Sequence, residues 1–257
     1  MRALVELTAA PPIAPGGPSR LTRRRDGAPL AWRSTPDAVY LVGTAATPLG
    51  DDSVEIDVVV ESGATLTVRS TAATVAWSGT GTTQRIGATV ADGGTLDWHL
   101  QPLVATGGCR HRQDVTVLLE GAGLVHWSEE LVLGRCGETP GHLDLRLAVD
   151  LDGQALLRHQ LSVGPDVAGW GGPAVVGEHR AVGLVLHAGR DVVASAPAAG
   201  PGWAVLNLDG PAVLAVAVAD ELSGLRLALT EAEAEAARCL RDARAPGPGI
   251  VTPRCPC

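Results

Sequence analysis

Four groups of polar side chains interrupt otherwise apolar segments, and any chemistry would be sought there. Asp51 and Asp52 close the stretch GTAATPLGDD. Gln101 and Pro102 follow Trp98, and Arg110, His111, Arg112 and Gln113 come shortly after. Glu129 and Glu130 open EELVLGRCGE, which runs on to Arg135 and Glu138. Charges set among apolar residues either pair with one another at the edges of packed layers, which neutralises them and fixes register, or line a polar passage or docking surface. The residues by themselves favour mutual pairing.

Metal ligation is a separate possibility. Cys109 and His111 are two apart, as are Cys255 and Cys257, and on a strand each pair would face one side. Neither pair has a second pair at structural-zinc spacing, and the seven His form no run, so neither a metal site nor a catalytic residue is expected. All 20 basic residues are Arg, and a chain without Lys cannot build a Gly-Lys-Ser/Thr phosphate loop. GWGGPA, Gly169 to Ala174, has the spacing of a dinucleotide fingerprint. Pro173 and the Val-rich run behind it do not read as the helix that motif needs. Gly-x-Ser-x-Gly and His-Glu-x-x-His are both absent.

The elements that must position these groups read as β. With no Phe, one Tyr and six Trp, the interior is filled by Val, Leu and Ala, and β-branched packing follows. Gly63, Gly93, Gly121 and Gly153 each follow an apolar segment and precede a Leu by three, at steps of 30, 28 and 32 residues. A looser fifth copy lies at Leu208, Asp209 and Gly210. Such a period predicts supersecondary units stacked so that each covers its neighbour's apolar face, with an antiparallel sandwich as the alternative.

The expected organisation is one domain over 1–257. Residues 1–38 form an N-terminal edge strand (2–8) and loop with a solvated Arg cluster, 39–229 a stacked β core, 230–244 a helix, and 245–257 a flexible tail. Thr230 with Glu233 suggests a capping box, Ala236, Cys239, Leu240 and Ala243 an apolar stripe, and Arg238, Arg241 and Arg244 a basic last turn.

A net charge of −8 argues against a nucleic-acid partner. The proline-broken N-terminus and the lack of a long apolar run argue against secretion and a membrane, and five Cys fit a reducing cytoplasm.

Four blocks then point to a family: GTAATPLGDD (Gly43 to Asp52), STAATVAW (Ser70 to Trp77), GGTLDWHLQPLVATGGCRHRQ (Gly93 to Gln113) and EELVLGRCGE (Glu129 to Glu138). Their order and spacing resemble the urease accessory protein UreD (UreH) family over roughly Val39 to Gly164, in an actinobacterial-type branch. The resemblance implies a non-enzymatic chaperone of mainly β, helix-like stacked fold. It also implies partners (the urease apoprotein, UreF and, through UreF, the GTPase UreG), nickel in transit rather than a resident cofactor, and an internal tunnel. Carried over, Asp51 and Asp52 fall in the family's Gly-Gly-Asp block, Gln101 and Pro102 in its Gln-Pro block, and Glu130, Gly134, Arg135 and Glu138 in its Leu-Gly-Arg block. With Arg110 and Arg112 these are the candidate partner-binding or tunnel residues. The chain departs from the family in reading Gly-Asp-Asp for Gly-Gly-Asp, in Thr71 for Gln, and in lacking Lys between Thr74 and Val75. The competing readings are a β-solenoid enzyme acting on carbohydrate and a structural β-rich binding module.

Overall fold

The computed structural model describes residues 1–14, 16–193 and 196–244, with side chains to 236. The expected tail 245–257 with its Cys pair, and the side chains of Arg238, Cys239, Leu240, Arg241, Ala243 and Arg244, lie outside the described residues.

The N-terminal region supplies β1 (Arg2–Ala10), β2 (Arg20–Arg25) and β3 (Leu30–Ser34), and β4 (Val39–Gly43) follows. Three coils come next. The first is β5 (Ser53–Val60), β6 (Thr65–Ser70) and β7 (Thr74–Ala76); the second is β8 (Thr82–Val90), β9 (Thr95–His99) and β10 (Leu103–Ala105); the third is β11 (Arg110–Leu119) and β12 (Leu124–Leu133). The chain ends with β13 (His142–Leu151), β14 (Gln154–Val163), β15 (Ala181–Gly189), β16 (Ala198–Gly200), β17 (Trp203–Asn207), β18 (Ala212–Ala219) and α1 (Leu222–Arg244).

Each coil gives its first strand to a seven-stranded sheet, β14-β13-β11-β8-β5-β1-β2, and its second to a larger sheet, β16-β17-β18-β15-β12-β9-β6-β4-β3. Successive coils pair in parallel, so like positions stack: Ile56 on Ile86 on Val115 in one sheet, Leu66 on Leu96 on Val125 in the other. These side chains are nearly all fully buried, and each contributes about 1.5–3 kcal/mol. The expected stacked layers are therefore present. At the turns, Gly63 and Gly93 hold φ of 68° and 67°, values that a side chain disfavours.

Three expectations fail for identifiable reasons. At the fourth glycine both Asp152 (φ 49°) and Gly153 (φ 77°) are left-handed, which makes a two-residue hairpin, so β14 folds back on β13 within one sheet instead of crossing to the other. The copy at Leu208–Gly210 is likewise a reversal, joining antiparallel β17 and β18. Residues 2–8 are not an edge strand: β1 lies between β5 and β2, and the Arg cluster is itself the edge strand, where its charge discourages further pairing.

The helix also starts eight residues before Thr230. The Thr230 hydroxyl donates to the Arg226 carbonyl at 2.7 Å, as helix-interior residues do, instead of capping. Burial decides this: Leu225, Ala228, Leu229, Ala232 and Ala236 form one stripe packed on Val185, Val213 and Ala215 of the larger sheet's outer face. No helix among the described residues is long and apolar enough to cross a membrane.

Candidate functional site

Alternation along β12 sends Trp127, Glu129 and Leu131 between the sheets. Trp127 stacks on its register partner Trp98, centroids 4.8 Å apart and planes at 1°. The apolar interior is thereby split into one cluster containing Trp98 and Trp127 and another containing Leu131, Leu133 and Leu145. Between them lie Gln84 and Gln113, paired across β8 and β11, and Glu129. Gln113 Nε2 and Trp127 Nε1 donate to Glu129 Oε1 at 3.2 and 3.1 Å. Burial pushes the Glu129 carboxyl up to about 7, against the pull of these two donors.

Three cavities meet at this polar layer. One of about 300 Å³ opens between the first coil and β3–β4; a narrow one of about 40 Å³ lies beside the Trp pair; one of about 400 Å³ lies between β13–β14 and β15, β17 and β18. Thr74 and Gln84 line both the first and second, and Glu129 and Leu131 both the second and third. Glu129 thus forms part of the wall of two of these three neighbouring cavities between the sheets.

The candidates from sequence fall at several places around it. Gln101 and Glu130 line the narrow cavity and are brought together by the helix: Arg226 donates to Glu130 Oε2 at 2.8 Å and to Gln101 Oε1 at 3.1 Å. Glu130 is 4% exposed, and its carboxylate raises the Arg226 guanidinium further.

Arg135 and Glu138 pair with each other through two bonds of 2.9 and 2.7 Å, which hold Glu138 at about 2. Arg135 also sits 5.5 Å over Trp77, a wall of the first cavity. Arg180 fixes this loop by donating to the carbonyls of Leu133, Arg135 and Glu138.

Asp52 is buried apart from these groups. It accepts from the Met1 ammonium, Leu49 N and the Thr47 hydroxyl, and although burial works to raise its carboxyl, these partners outweigh it and keep it low. Asp51 is exposed beside it. Arg110 and Arg112 border a separate hollow on the smaller sheet, and Arg112 pairs with Asp114 rather than with an acid of β12. Of Cys109 and His111, the thiol lies 3.7 Å from the His142 carbonyl, while His111, pushed down to about 4 by burial, meets Thr82 Oγ1 at 2.8 Å.

Glu129, Arg180 and Arg226 are absent from the sequence-derived set. Glu129 was within reach, because Trp127, Leu131 and Leu133 share its strand face; the two Arg carried no local signal. A sugar-stacking aromatic groove does not form at the Trp pair, since Trp32, Trp98 and Trp127 are buried.

The larger sheet's outer face, under α1, carries a second polar group. Asp97 first, then Glu233, pushes His126 up to about 9, and the imidazoles of His126 and His187 hold Glu233 at about 2.

Comparison with known proteins agrees over the length of the fold. A family described as UreD urease accessory protein matches residues 3–250. The chain is 39% identical to urease accessory protein UreD 3 of Streptomyces griseus subsp. griseus, covering 89% of this chain and 90% of that one. It is 38% identical to urease accessory protein UreD 2 of Saccharopolyspora erythraea (88% and 82%) and 37% identical to urease accessory protein UreD of a Parafrankia species (82% and 81%).

Proposed function

From the premise that this chain belongs to the UreD urease accessory proteins, we propose that it acts in urease maturation as a non-enzymatic scaffold. It gathers the urease apoprotein with UreF and, through UreF, UreG, and nickel on its way to the urease active site passes between its two sheets. The observation that supports the passage is the row of three neighbouring cavities that share wall residues, Thr74 and Gln84 between the first two and Glu129 and Leu131 between the last two. A cation leaving water needs replacement ligands, and Gln84, Gln113 and Glu129 offer oxygen atoms along the narrow part. A carboxyl that titrates near 7 can surrender its proton to an arriving cation and regain it afterwards, which suits transit better than retention.

Two variants separate the roles. Gln113→Phe blocks the narrow cavity: urease co-expressed with it and the other accessory proteins is expected to form the complex yet stay largely inactive. Full activation would remove the passage. Arg135→Ala with Glu138→Ala frees the loop beside Trp77 and is expected to weaken complex recovery and lower activation while the fold persists. Wild-type activation by this pair would remove the docking role of that loop.

A further inference from the structure

The strongest group outside the cavity series is on the opposite face of the larger sheet. There one row of cross-strand neighbours runs Thr67, Asp97, His126, His187 over β6, β9, β12 and β15. The two imidazoles stack with centroids 4.4 Å apart and planes at 8°. From the helix above, Glu233 places Oε1 3.4 Å from His126 Nε2 and 3.5 Å from His187 Nε2, and one donor atom from each of the three residues lies within 4.8 Å of the others.

The separations of the carboxylate from the two imidazoles match a coordination sphere, and the stacked rings turn from their parallel setting when their in-plane lone pairs converge on one ion. Donors at about 2.0–2.1 Å from a tetrahedral ion stand about 3.3–3.4 Å from one another. The donor at the centre of the group faces the carboxylate: His126 Nε2 is buried and lies 3.4 Å from Glu233 Oε1 without hydrogen-bond geometry. Its other nitrogen, Nδ1, lies 3.2 Å from Asp97 Oδ1, and Asp97 is itself fixed by Arg69 Nη2 at 2.5 Å. A carboxylate behind an imidazole is the arrangement that orients histidine ligands. The side chains of His126, His187 and Glu233 are 33%, 41% and 37% exposed, so an ion can reach them.

We propose that His126, His187 and Glu233 form a binding site for one divalent transition ion, with water completing the sphere. Two imidazoles and a carboxylate select zinc- or nickel-like ions over magnesium or calcium, which prefer all-oxygen sites. The site joins β12, β15 and α1, so ion binding clamps the helix to the sheet. The inference does not rest on the passage through the interior, because it uses the other face of the sheet and is read by ion binding rather than by urease activation.

The test uses the full-length chain, stripped by chelator and with its cysteines alkylated so that thiolates cannot contribute. Zn²⁺ and Ni²⁺ are titrated separately by calorimetry, with melting temperature followed in parallel and Mg²⁺ as contrast. One equivalent of Zn²⁺ or Ni²⁺ is expected to bind and raise the melting temperature, as any ligand selective for the folded state does, with no response to Mg²⁺. His126→Gln with His187→Gln is expected to weaken binding at least 100-fold, and Glu233→Gln about tenfold. Absence of saturable binding by either ion, or binding unchanged in the double variant, overturns the site. Should the double variant fail to fold, Co²⁺ decides on the unmutated chain: visible d–d bands of a tetrahedral nitrogen–oxygen site support the proposal, and their absence at saturating Co²⁺ overturns it.

Discussion

Glu129 and Glu130 are adjacent in the chain and opposite in setting. Glu129 turns between the sheets, where its oxygen meets only neutral donors and its carboxyl titrates near 7. Glu130 is the more buried of the two, yet it takes three bonds from Arg226 and reaches out of the sheet to the helix. One residue of strand alternation therefore separates a carboxyl free to exchange its proton from one committed to holding α1 in place. The same acid does different work because of whether a cation faces it.

Removing that cation should have the largest effect. Arg226→Met leaves a buried carboxylate alone, and because half-buried pairs relax more than fully buried ones, a loss toward the low end of about 3–5 kcal/mol is expected in urea unfolding. Adding Glu130→Gln should recover most of it; no recovery would mean that Arg226 acts through packing.

Glu129 makes a smaller, pH-dependent contribution. Its folded pKa lies above the unfolded value, so the native state keeps a proton that the unfolded chain has already lost. Stability is full below the unfolded value, falls as pH rises toward 7, and is flat beyond it, by at most about 3 kcal/mol. Glu129→Gln should flatten this part of the stability profile and be more stable than wild type at pH 8. An unchanged slope would show that Glu129 keeps its charge.

The smallest change sharpens the contrast further. Trp127→Phe removes one donor to Glu129, which should move the inflection of that profile to higher pH, while Glu130 and the helix contact are untouched.

The coiled β architecture was readable because it is written locally. Alternating apolar residues mark each strand, and a glycine before each Leu marks each turn, so β5 through β12 could be expected. Where the pattern misled, at Gly153 and Gly210, the turn residues looked alike and only the backbone angles differed. At the helix, a plausible cap at Thr230 lost to the burial of Leu225 and Leu229, which lie ahead of it. The candidate site divides in the same way: Arg135 with Glu138 is a contact three residues apart, whereas Glu130 with Arg226 spans 96.

The chain alone therefore determined its aliphatic β layers, its lack of a phosphate loop and the blocks shared with its family, since all of these depend on residue type and short spacing. Which acid meets an arginine, which glutamate meets only neutral donors between the sheets, and that His126, His187 and Glu233 converge were decided only by tertiary structure. Strand register and helix docking place residues tens of positions apart within a few ångströms, and no local pattern encodes that distance.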